Sequence, residues 1–82
     1  MSIRLTADHP RSSYGIPVFI GPGGVLDYAD GLRALRAERE WTVADLAERC
    51  GVSPRTVEGW EQGRMPAAPA LIALMRSMRP RG

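Results

Sequence analysis

The side chains best equipped for chemistry fall in one stretch, from Thr42 to Arg64. Arg55 carries a planar guanidinium that can donate to two acceptors at once, such as O6 and N7 of a guanine. Ser53 and Thr56 add hydroxyls that can touch base edges or phosphates. Glu58 adds a carboxylate able to accept from a cytosine amine, and Gln62 an amide suited to base-edge or backbone contact. Thr42 at the front of the stretch can dock a phosphate with its hydroxyl and nearby N–H groups, and Arg64 at the back can clamp another. This is the chemistry of recognition. With one histidine (His9) and one cysteine (Cys50), and no paired-carboxylate or Ser–His–Asp constellation, the sequence predicts no enzyme, no metal and no cofactor.

Two short helices must position these groups. The first opens at Thr42 with Asp45 three residues on, a capping box, and sets Val43, Leu46, Ala47 and Cys50 on one inward stripe. Gly51 supplies the left-handed residue that ends it. The second opens with Ser53 as N-cap and Pro54 at the first helical position, turns Val57 and Trp60 inward, and stops at Gly63. An earlier helix starts near Asp27 or Asp30 and runs to Glu40 with Leu32 and Leu35 on its apolar face. A fourth spans Ala70–Met78 after a loop bracketed by Pro66 and Pro69. Trp41 and Trp60 read as core residues, and Cys50 as a buried, inert one.

The pair of helices resembles the helix-turn-helix of the phage-repressor-like family, called the Xre or Cro/repressor type. Ala47 falls where that family takes a small residue at the helix crossing, Gly51 is its turn glycine, and Val57 matches its β-branched residue between the helices. Trp60-Glu61-Gln62-Gly63-Arg64-Met65-Pro66 is similar to its Trp-Glu-x-Gly-x-x-Pro ending. The resemblance covers about Leu32 to Met78 and implies an all-α bundle of about four helices. It also implies that Arg36 pairs with Glu61, fixing how the third helix leaves the bundle. Three positions depart from the pattern: Val43 stands in place of a phosphate-contacting Gln, Pro54 offers no side-chain hydrogen bond, and Gly59 leaves a reading position blank.

Outside the motif the chain is less regular. Residues 1–29 read as an N-terminal arm. Met1 to about Ser13 is polar and aperiodic, hence disordered or loosely attached, and two apolar runs around Gly21-Pro22-Gly23-Gly24 suggest a hairpin at 16–28. Pro17 confines the first run to a sheet edge, because it cannot donate to a ladder. Residues 30–78 form the helix-turn-helix domain and 79–82 a basic tail. Leu71, Leu74, Met75 and Met78 make an apolar stripe that exceeds the needs of one short helix, part of it a candidate dimer surface.

Composition adds bounds. The 82 residues allow one small domain, 44% are apolar and 24% charged, and the net charge is +2 with all eleven basic residues arginine. The absence of a long apolar run or a secretion signal predicts a soluble, cytoplasmic protein that meets no membrane. The expected function is a sequence-specific DNA-binding transcriptional regulator, a repressor or autoregulator of phage or plasmid type. It would bind double-stranded DNA as a homodimer that reads the major groove with its third helix. The alternative is a protein-interaction module on the same fold, an antitoxin or phage adaptor that grips a protein partner through the Ile16–Tyr28 arm, with Phe19 and Tyr28 as its contacts.

Overall fold

The computed structural model describes residues 2–12 and 14–78; the basic tail expected at 79–82 lies outside them. Three short strands, β1 (Arg4–Thr6), β2 (Val18–Gly21) and β3 (Gly24–Leu26), precede four helices, α1 (Tyr28–Arg39), α2 (Val43–Cys50), α3 (Pro54–Glu61) and α4 (Ala68–Ser77). The all-α bundle and its N-terminal hairpin are as the sequence implies.

The helices begin and end where local chemistry directs. Asp27 caps α1 by accepting from the Asp30 N–H at 2.8 Å. Glu40, at φ 57°, reverses the chain after it, and the Trp41 N–H closes the turn on the Arg36 carbonyl at 2.9 Å. The start of α4 is a correction. Pro69 lies inside its first turn rather than in the preceding loop, where a missing N–H breaks no helical bond.

Leu32 and Leu35 of α1, Leu46 of α2, Val57 of α3 and Leu71 and Leu74 of α4 meet in one core with Phe19 of β2. Leu71 and Leu74 are thereby spent within the subunit and cannot serve the expected dimer surface; Met75 and Met78 are half-buried at its edge.

The N-terminal segment departs most from expectation. Arg4–Thr6, expected to be disordered or loose, pairs antiparallel with β2 in the register Leu5↔Phe19, and Ile3 and Leu5 enter the core. The strand order β1-β2-β3 makes β2 central, not an edge. Pro17 sits just before β2, so the ladder loses no donor. Phe19 is fully buried against α1, where the Gly31 backbone leaves room for its ring: a β-carbon at 31 would lie 2.3 Å from Phe19 Cγ. The Ile3 N–H donates to the Glu38 carboxylate at 2.7 Å, and the Tyr28 hydroxyl to the Pro17 carbonyl at 3.0 Å. These contacts sew the sheet onto α1.

Candidate nucleic-acid interface

At the start of α2, Thr42 Oγ1 accepts from the Asp45 N–H at 3.1 Å, and Asp45 Oδ2 accepts from the Thr42 N–H at 2.9 Å. The backbone bond from Thr42, together with the hydroxyl contact, holds the Asp45 carboxyl below the usual carboxylate range. This is the capping box read from the sequence, and it narrows the groups that Thr42 can offer. Its own N–H is already occupied and a carboxylate stands beside it, so a phosphate there meets only the Thr42 hydroxyl and the first-turn amides of Val43 and Ala44.

The turn follows the glycine logic. Gly51 takes φ 73°, and the Val52 N–H closes back on the Ala47 carbonyl at 3.0 Å. Ala47 is buried in the core beside the turn, consistent with the small residue that the resemblance puts there.

On α3, Ser53 Oγ accepts from the Thr56 N–H at 3.3 Å and lies 3.0 Å from Thr56 Oγ1. The two hydroxyls are engaged with each other, and Thr56 is half-buried. Val57 and Trp60 face the core, while Arg55, Glu58 and Gln62 are exposed on the opposite side. A groove of about 560 Å³ runs along that side, lined by Arg55, Glu58, Gly59, Gln62 and Arg64. Arg64 follows the helix, as read from the sequence, and is held close to α3: its N–H donates to the Gly59 carbonyl at 3.0 Å.

The far end of α3 is anchored by arginines of α1. Arg36 binds Glu61 through both fork atoms, Nε to Oε2 at 2.7 Å and Nη2 to Oε1 at 2.8 Å. The bond to Glu61 raises the guanidinium pKa further. Arg33, not singled out in the sequence, donates from Nη1 to the Glu61 carbonyl at 3.1 Å and satisfies one of the orphan acceptors at the helix end. Trp60 is core, as read from the sequence. Trp41 is only half-buried: Arg49 stacks over its ring at 4.2 Å and Arg39 lies at 5.6 Å. Arg49 is therefore occupied at the side of the motif. Cys50 is buried, and burial pushes its thiol up to about 11, the condition of an unreactive thiol.

Two helices joined by a glycine turn, the second buried on its apolar side and bare on its polar side, make the unit that carries recognition helices. The family model described as a helix-turn-helix domain matches residues 27–77, well over half of the chain. The chain belongs to that family. As a helix-turn-helix domain it is of the kind found in DNA-binding regulators, and the match begins at the Asp27 cap of α1 and ends with α4. No curated protein and no solved structure matches the chain. The sheet lies ahead of the matched residues. Among the described residues no helix is long and apolar enough to cross a membrane, and no three His, Cys, Asp or Glu side chains gather as a metal site.

Proposed function

We propose that this helix-turn-helix domain is a sequence-specific transcriptional regulator that reads the major groove with α3. The observation that carries this is the division of α3 into two sides. Val57 and Trp60 fix it to the core, and Arg36 and Arg33 hold its end. Its other side presents Arg55, Glu58, Gln62 and Arg64 along one open groove. A rigid helix with hydrogen-bonding groups on its free side suits the donor and acceptor code of base edges. Phosphate contacts from the start of α2 would set the register.

A single eight-residue helix offers few base contacts, so the active form is a homodimer with two copies of α3 about one helical turn apart. The Trp60–Pro66 ending and the Arg36–Glu61 pair favour the Xre or Cro/repressor type, hence a cytoplasmic repressor or autoregulator of phage or plasmid origin. The test is selection of bound fragments from a random duplex pool, with wild type and Arg55→Ala in parallel. An enriched inverted repeat that Arg55→Ala loses is the expected result; no enrichment at low salt overturns the proposal.

One observation favours a second reading, a protein-interaction module such as an antitoxin or phage adaptor. Val25 and Met65, 40% and 76% exposed, line a hollow of about 410 Å³ beside the hairpin, with Leu26 and Tyr28 in its walls. Phe19, expected to grip such a partner, is in the core and unavailable. The test therefore moves to Met65→Ser and Val25→Ser: a partner complex that these abolish and Arg55→Ala leaves intact supports this reading.

A further inference from the structure

Residues 55, 58, 59 and 62 recur at three- and four-residue spacing and form one outward stripe of α3. The middle of that stripe is Gly59, which has no side chain to read with and is a poor helix former. The space beside it is nevertheless filled. A β-carbon at 59 would lie 3.2 Å from Cδ of Arg64 and 3.8 Å from both Nε and Nη1. The backbone brings Arg64 there: Gly63, at φ 114°, turns the chain back, and the Arg64 N–H bonds the Gly59 carbonyl.

We propose that Gly59 is a seat that holds the Arg64 guanidinium on the reading stripe beside Arg55, so that Arg64 reads a base rather than clamping the backbone. The inference rests on the DNA-binding proposal above. Arg55 and Arg64 line the same groove, and among the described residues neither is in an ion pair. Both forks are thus open to a ligand with paired acceptors, and in the major groove that is the O6/N7 edge of guanine. An arginine whose methylenes lie along a bare stretch of helix is already partly ordered, which lowers the entropy lost on binding. An alanine at 59 forces Cδ aside by a few tenths of an ångström, and the guanidinium beyond it swings further than the atom that is pushed.

The experiment is the same duplex-pool selection, followed by titration of the selected site, for wild type, Gly59→Ala, Arg64→Ala and the double variant. Arg64→Ala and Gly59→Ala are expected to relax the same base position, distinct from the one lost in Arg55→Ala, and to weaken the selected site about tenfold. The double variant should bind no worse than Arg64→Ala alone, because the glycine acts through the arginine. Gly59→Ala should melt no lower than wild type, since alanine is the better helix former; its binding loss is then not unfolding. If Arg64→Ala weakens all sequences alike and reduces the salt slope by about one, Arg64 is a phosphate contact and the inference fails. It also fails if Gly59→Ala leaves the preference intact, or weakens binding equally with and without Arg64. A wild type that enriches no sequence removes the DNA-binding proposal and this inference together, whereas the other failures remove the seat alone.

Discussion

Between Thr42 and Glu61 the chain is shaped by partners a few residues away: Thr42 with Asp45, Val52 with Ala47, Ser53 with Thr56. Between Ser2 and Leu26 the β2–β3 hairpin is local, but the contacts that dock the sheet are distant. The Ile3 N–H reaches Glu38 across 35 positions, and Phe19 lies against the bare backbone of Gly31. The recognition unit is written in local caps and turns, whose pieces can form early and near one another. The β2–β3 hairpin closes locally at Gly21 and Gly24, but pairing β1 and docking the sheet on α1 join distant positions and meet a larger loop-closure cost. The helix-turn-helix unit should therefore tolerate injury to the sheet better than the sheet tolerates injury to α1.

The largest effect should come from testing that dependence at the two glycines inside helices. Gly31→Ala puts a β-carbon 2.3 Å from Phe19 Cγ and 2.6 Å from its Cβ and Cδ2, so ring and helix must separate. We expect a loss of about 3 kcal/mol in urea unfolding, the upper range for overpacking. Gly59→Ala, the same change in a helix of the recognition unit, should instead gain up to about 1 kcal/mol. A Gly31→Ala protein as stable as wild type would show that the sheet docks loosely and that the contrast is overstated.

Next in size is the Arg36 fork that anchors the far end of α3 on α1. Arg36→Met removes both donors from Glu61, whose side chain is 10% exposed, and leaves a carboxylate facing the bundle. A cost of about 2 kcal/mol is expected, below the 3–5 kcal/mol of a fully buried pair because the Arg36 side is partly wet. Arg33→Ala, which removes an exposed guanidinium, should cost about 0.5 kcal/mol. Equal effects would mean that the fork holds α3 no more firmly than the carbonyl contact does.

A smaller change isolates the sheet. Glu38→Gln replaces the charged acceptor of the Ile3 N–H and the Ser2 hydroxyl by a neutral one, a loss of about 1 kcal/mol confined to the edge of the sheet. Hydrogen exchange should then quicken at the β1 and β2 amides while those of α2 and α3 keep their protection. Uniform quickening would mean that sheet and bundle open as one unit.

The same contrast explains what was legible in the sequence. Thr42, Asp45, Gly51, Ser53 and Pro54 announce their roles within a window of a few residues, and α2, the turn and α3 follow from them. Arg36 and Glu61 could be paired only through the family resemblance, since nothing local joins positions 25 apart. Residues 2–12 read as loose because Ile3 and Leu5 are too few to show a strand period; their placement depends on β2 and on Glu38 of α1. Pro17 misled because its missing donor matters only inside a ladder, and β2 begins one residue later. Gly31 carried no signal of its role, and Gly59 showed only as a blank position, because a glycine's importance lies in what occupies the space it leaves. The α4 stripe was visible, but a stripe does not say whether a core or a second subunit covers it, and for Leu71 and Leu74 the core does.

The smallest effect concerns the capping box of α2, and its sign is fixed by the direction of the Asp45 shift. Bonds from Thr42 hold this carboxyl below its ordinary value of 3.8 in the folded protein, while in the unfolded chain the bonds are gone and the ordinary value returns. The folded state therefore binds its proton less readily, and the contribution is fully present above the unfolded pKa. It declines as the pH falls below 3.8 and is exhausted once the folded pKa has been passed. Thermal unfolding across that acid range should show wild type losing stability more steeply than Asp45→Asn, whose amide accepts from Thr42 without titrating. Near neutral pH the variant should be slightly the less stable, because it lacks the negative charge at the start of α2. Parallel acid slopes would mean that the box is kept by the Thr42 hydroxyl alone, and the start of α2 would then be open to a phosphate.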